Sequence, residues 1–159
     1  MPATRSSLAL GTPRFADARL ARLATDQGAV AAWQAALTKG AKQAASEVTG
    51  DFAVALCEPT GRTFLAVDRF AIQTLCYRVV DGQLRFATRA DELADASTPI
   101  DPQAIFDYLY FHVIPSPRTI YQGIFRLPPG HYALFQNGQI TVAPYWAPNF
   151  TEPPNASFD

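Results

Sequence analysis

The chain has 159 residues, enough for one domain with an ordinary core, and its 13 Lys and Arg against 14 Asp and Glu leave a net charge of −1. Both signs are spread along it, which argues against a nucleic-acid footprint and against a basic patch for membrane lipids. Its apolar runs fall far short of the roughly 20 residues of a membrane-spanning helix.

Near the start, Arg5 is followed only by Leu8-Ala9-Leu10, shorter than the about 7–15 apolar residues of a signal-peptide core. Cys57 and Cys76 alone do not make a disulfide framework, so the expected setting is the cytoplasm. Leu8-Ala9-Leu10 reads as a short strand, broken by Gly11-Thr12-Pro13. Ala16 to Thr25 reads as a helix with Leu20 and Leu23 on one face, and Gln27-Gly28 punctuates. A second helix, Ala29 to Leu37, carries Val30, Trp33 and Leu37 as its buried stripe, with Gly40 placed as its C-cap. A short, weakly amphipathic third helix covers Ala41 to Val48.

Gly50 to Thr88 is the most patterned stretch. Four apolar runs, Phe52–Cys57, Thr63–Val67, Leu75–Val80 and Gln83–Thr88, are separated by turn residues. Asp81-Gly82 between two of them is a type I′ hairpin signal, because both central positions need φ > 0. The pattern predicts a four-stranded antiparallel sheet. In the first run Phe52, Val54 and Leu56 alternate with Ala53, Ala55 and Cys57, so neither face is polar and both must be covered. The small residues of the second face predict a close-packed neighbour.

Asp101-Pro102 is an N-cap followed by Pro at the first helical position. The helix Pro102 to Phe111 carries Ile105, Tyr108, Leu109 and His112 on one stripe and ends before Pro115. Tyr110 and Phe111 lie off that stripe; they either pack under the Pro-rich turn or meet a second domain. Thr119 to Leu127 reads as extended. His131–Phe135 and Gln139–Val142 flank Asn137-Gly138, a second type I′ hairpin signal. From Pro144 onward the chain has no period and reads as a linker or tail.

Several short strings then fall into a known order: Gly50-Asp51-Phe52-Ala53, Asp68-Arg69-Phe70, Phe86-Ala87-Thr88, Pro115-x-Pro117-x-Thr119-Ile120, Leu127-Pro128-Pro129-Gly130-His131 and Tyr145-Trp146. Together they resemble the glutaminase domain of asparagine synthetases, a class II glutamine amidotransferase of the N-terminal-nucleophile type. The resemblance implies an α+β fold, an αββα sandwich with antiparallel sheets, here truncated at its N-terminal edge. It also implies two segments: a glutaminase-like domain over 1–143 and a Pro-rich linker over 144–159.

The departures from the family pattern bear on activity. The family nucleophile is a cysteine that becomes the first residue, with its own α-amine as base; here Pro2 follows Met1. The family oxyanion hole uses an Asn side chain and the next Gly N–H, and those positions are Leu10 and Gly11. Losing one such donor costs roughly 10²–10³ in rate. The family aspartate that holds the glutamine α-amine falls near Gly28, with Asp26 reachable by a shift. Gly11, Asp26 and Asp51 are therefore expected as a vestigial substrate site with no catalytic residue.

Asp68 and Arg69 read either as an anchor at a domain interface or as an ion pair that fixes their own turn, the second being favoured. With Tyr110 and Phe111 they are the interface candidates. Cys57 and Cys76 read as small core residues. His112 and His131 do not make a metal site; His131 is expected in a structural hydrogen bond.

The resemblance implies a non-catalytic domain that docks on or stabilises an ATP-dependent amide-forming domain, in cis or in trans, with dimerisation also possible. ATP and magnesium are expected only in that absent synthetase domain. The degenerate N-terminus is similar to that of lasso-peptide macrolactam synthetases. The alternatives are a fragment of an active glutamine-hydrolysing enzyme and a free-standing remnant that binds an amino acid.

Overall fold

The computed structural model describes residues 6–150. Strand β1 (Leu8–Gly11) and the short β2 (Arg14–Phe15) lead into helices α1 (Ala18–Gln27), α2 (Ala29–Leu37) and α3 (Ala41–Ser46). Asp17 caps α1 by accepting from the Arg19 N–H at 2.8 Å. Gly40, expected as the C-cap of α2, is instead the N-cap of α3; Thr38 caps α2, and Val48 has left the third helix for β3 (Val48–Thr49).

Strands β4 (Phe52–Cys57), β5 (Thr63–Val67), β6 (Cys76–Val80) and β7 (Gln83–Ala87) follow. The two hairpins do not share one four-stranded sheet. β4 and β5 belong to a five-stranded sheet, completed by β9 (His131–Gln136) and β10 (Gln139–Pro144) in the order β1-β4-β5-β9-β10. β6 and β7 belong to a three-stranded sheet with β8 (Phe125–Arg126), in the order β7-β6-β8. The strand pairings in both sheets are antiparallel. The reason for the split lies at the edges of β5. That strand has β4 on one edge and β9 on the other, which leaves no edge for β6, and the loop Asp68–Leu75 that carries the chain away is held by its own carboxylate.

The doubly apolar β4 has a core on each side, as expected. On one face Phe52, Val54 and Leu56 pack with Phe64, Trp33, Ala32 and Ala45 beneath the helices. On the other, Ala53 and Ala55 lie against Leu65, Val67, Tyr77, Phe86 and Leu127, which places the small sheet against the large one. Trp33 is fully buried, its ring 5.0 Å from Phe52 and 5.4 Å from Phe15. Cys76 is buried and Cys57 partly so, in agreement with their reading as core residues. The hairpin turns match expectation, with φ of 51° and 68° at Asp81 and Gly82, and 53° and 78° at Asn137 and Gly138. β10 continues to Pro144, and buried Tyr145 donates its hydroxyl to the Val67 carbonyl at 2.7 Å.

Helix α4 (Pro102–Phe111) has its predicted bounds and its Asp101 cap, but its stripe faces outward: Ile105, Tyr108 and Leu109 are exposed, and Ala104 is its buried residue. No helix among the described residues is long and apolar enough to cross a membrane. The result is an α+β body in which antiparallel sheets are stacked and three helices cover the larger one.

Candidate functional site

At one end of the large sheet, β1 and the entry to β4 cross so closely that neither tolerates a side chain. A Cβ on Gly11 would lie 2.3 Å from the Asp51 carbonyl oxygen, and one on Gly50 would lie 2.4 Å from that of Thr12. Both glycines have φ in the left-handed region, at 78° and 88°. The Thr12 N–H donates to the Asp51 carbonyl at 2.8 Å. Gly11 and Asp51, two of the predicted site residues, are thus brought together, and local backbone packing already demands the glycine.

The Asp51 carboxylate is taken up by the chain itself. The Thr12 hydroxyl donates to one oxygen, and the Gln73 amide donates to the other at 2.9 Å. These two hydrogen bonds, Thr12 first, hold its pKa below the usual carboxylate range. Leu10 pairs with Ala53 and packs into the core between the sheets. Asp26 stands apart from this group. It lies exposed near the end of α1, where it pairs with Arg22 at 3.6 Å.

Next to Asp51 the loop after β5 is organised by Asp68. Its buried carboxylate accepts from the backbone N–H groups of Phe52 at 3.2 Å, Phe70 at 2.9 Å, Ile72 at 3.1 Å and Gln73 at 3.0 Å. The turn is fixed, as the favoured reading holds, but by peptide donors and not by an ion pair. Four N–H donors satisfy a buried carboxylate without a cation. Arg69 instead places its guanidinium 5.7 Å from the centre of the Trp146 ring, and Phe70 packs edge-on to the same indole at 5.5 Å. The Gly130 N–H donates to the Asp68 carbonyl, and the Tyr145 and Trp146 N–H groups donate to the Gly130 carbonyl, so three of the short sequence strings meet here. The His131 Nδ1–H donates to the Pro129 carbonyl at 2.8 Å, the structural hydrogen bond expected of it.

Of the interface candidates, Asp68 is buried and holds its own loop, Arg69 is half-buried, and Tyr110 and Phe111 are exposed on α4. Gln73 is a functional-site neighbour that the sequence reading does not single out. Its partner is 22 residues away, and no periodicity links the two. A cavity of about 620 Å³ opens at the far end of β4, between the turns of three hairpins, where Glu58 is paired with Arg62.

With this geometry in view, the chain belongs to the glutamine amidotransferase domain family, whose model matches residues 21–146. Within that family it sides with the class II domains of asparagine synthetases. Over 113 residues it is 29% identical to the glutamine-hydrolysing asparagine synthetase 1 of Bacillus subtilis (strain 168). The match covers 69% of this chain and 18% of that protein, so it spans under a fifth of the relative's length. The segment with Leu10 and Gly11 lies ahead of the residues that the family model matches.

Proposed function

We propose that this is a non-catalytic glutaminase-like domain that docks on or stabilises an ATP-dependent amide-forming domain of the asparagine-synthetase type. The observation that carries this is the self-satisfied corner at Asp51: its carboxylate is engaged by Thr12 and Gln73, and the neighbouring family Asn position holds the apolar Leu10. A substrate amine would have to displace two internal donors. A tetrahedral oxyanion would find no side-chain donor at Leu10. In this reading ATP and Mg²⁺ belong to the partner domain, and the setting is the cytoplasm, where ATP is supplied. A partner that closes a peptide macrolactam is the finer form of the proposal, supported by the same degenerate corner.

The purified chain with 10 mM glutamine is the test. Glutamate release at the buffer rate is expected; turnover above it overturns the reading. The second reading, a piece of an active glutamine-hydrolysing enzyme, draws on the relative's own name and on the 18% coverage. It requires glutamate release once the rest of the polypeptide is supplied.

A further inference from the structure

Among the described residues, Arg69 differs from the other part-buried arginines in having no acceptor. Arg62, Arg78 and Arg118 each have a carboxylate oxygen within 3.7 Å. Arg126 lies against the buried Cys76 thiol. Arg69 has no such partner: its Nε–H is buried without a hydrogen bond, while its two Nη groups reach solvent and donate to no protein group. Burial strips a charge of part of its water, so a cation in this position is ordinarily paired. An orphaned donor of this kind points to an absent anion.

The guanidinium is also held in place. The Asp68 carboxylate accepts from the N–H groups of Phe70 and Ile72 and so fixes the backbone on which Arg69 sits. The Trp146 ring centre lies 5.7 Å from its Cζ, and the Trp146 N–H is tied to the Gly130 carbonyl. A cation settled in one orientation before an anion arrives loses little freedom on binding it. The open Nη edge is a planar fork that meets the two oxygens of a carboxylate with parallel N–H···O bonds.

The surroundings select the anion. Arg69 brings one positive charge; the buried Asp68 carboxylate precedes it in the chain, and Asp51 is tied to the same loop through Gln73. A monoanion neutralises this cation, whereas a phosphate dianion adds unbalanced charge near two carboxylates. Phe70 and Ile72 follow on the loop, 71% and 67% exposed, and Phe70 shares the Trp146 ring with Arg69. They offer apolar surface to the carbon skeleton of a ligand.

We propose that Arg69 anchors a binding site for a monocarboxylate with an aromatic or aliphatic body. The carboxylate comes either from a free small acid or from an acidic side chain beside an aromatic residue in a polypeptide. The inference does not rest on the function proposed above.

The test is a heteronuclear NMR titration of the full chain that follows the Arg69 Nε–H signal, with exposed Arg85 as the control. Phenylacetate is expected to shift the Arg69 signal saturably, with a dissociation constant of about 1–10 mM, and to leave Arg85 following added salt alone. 2-Phenylethanol, which has the same body without the charge, is expected to leave Arg69 unmoved. Acetate and inorganic phosphate should bind at least about threefold more weakly than phenylacetate. The assignment is overturned if sodium chloride reproduces the shift, or if 2-phenylethanol, acetate or phosphate binds as tightly as phenylacetate. The capped dipeptide N-acetyl-Glu-Phe-amide separates the sources: binding tighter than phenylacetate places the carboxylate on a polypeptide, weaker binding on a free acid. Arg69→Lys keeps the charge and loses the fork, so phenylacetate binding, followed at the Phe70 backbone N–H, is expected to weaken by at least about tenfold. Binding at the wild-type strength in that variant, with the remaining amide spectrum unchanged, also overturns the assignment. If Arg69→Lys does not fold, the wild-type titration decides alone.

Discussion

The Gln73 side-chain amide donates to the Asp51 carboxylate at 2.9 Å, tying the loop after β5 to the entry of β4. The bond competes directly with any external amine for that carboxylate. Gln73→Leu removes it and leaves Thr12 as the remaining side-chain donor to Asp51. The Asp51 pKa, read by carbon-detected NMR titration, is expected below the ordinary 3.8 in the wild type and closer to it in Q73L. Equal values in the two proteins would mean that Gln73 does not hold the carboxylate in solution.

Asp68 should be the more costly of the two aspartates to remove. Its buried carboxylate serves four backbone donors, Phe52 at the start of β4 and Phe70, Ile72 and Gln73 in the connection from β5 to β6. Stranding a buried donor costs about 1–3 kcal/mol, and three of these donors share one loop, so the losses do not simply add. Asp68→Ala is expected to destabilise by at least about 3 kcal/mol in urea unfolding, and Asp68→Asn, which keeps one acceptor oxygen, by clearly less. If the two variants unfold at the same urea concentration, the hydrogen bonds are not what fixes the connection.

The Gly11 and Gly50 pair predicts a position-specific effect. Left-handed backbone costs a residue with Cβ about 1–2 kcal/mol, and at these two sites the new atom also meets a carbonyl oxygen. Gly11→Ala and Gly50→Ala should each cost about 3 kcal/mol or more. Gly61→Ala is the control: its φ is 83° but its Cβ would meet open space, so about 1–2 kcal/mol is expected. Equal thermal shifts in all three would remove the close crossing as the explanation.

Much of this fold is legible in the sequence because it is written locally. The two type I′ turns, the bounds of α2 and α4 and the Asp101 cap each depend on residues within a turn of one another. The doubly covered β4 is also legible, since alternation without a polar face has few other solutions. The separation of the two hairpins into facing sheets is not. Thr63–Val67 and Cys76–Val80 both read as strands of one sheet, and what parts them is that β5 has β4 on one edge and β9, from the far end of the chain, on the other. The candidate site was legible only in part, for the same reason. Gly11 and Asp51 are 40 positions apart and meet through β1–β4 pairing, whereas Gln73 arrives from a loop with no pattern of its own. The outward direction of the α4 stripe is not legible, because helical periodicity reports which residues share a side, not what lies against it.

At the start of α1 one cluster makes stability depend on pH. The Asp17 carboxyl is lowered from 3.8 to about 2, first by the Arg19 backbone N–H and further by the side chains of Arg19 and Lys39. Glu47 is lowered as well, first by Gln43 and then by Lys39, whose ammonium sits 3.0 Å from it and 3.4 Å from Asp17. For a depressed carboxylate the unfolded chain binds the proton first. The stabilisation is therefore complete above the unfolded value and is lost as pH falls through the folded one. Lys39 has the opposite sign: its pKa is raised, first by Glu47, so its share is intact below the ordinary 10.5 and lost as pH rises through the raised value. Asp17→Asn keeps a capping oxygen and removes the charge. Its urea midpoint is expected to fall less steeply than that of the wild type as pH drops from 3.8 to about 2. Because these side chains are near the surface, 1 M NaCl should shrink the difference. Parallel curves for the two proteins at low salt would show that Asp17 acts through its cap alone.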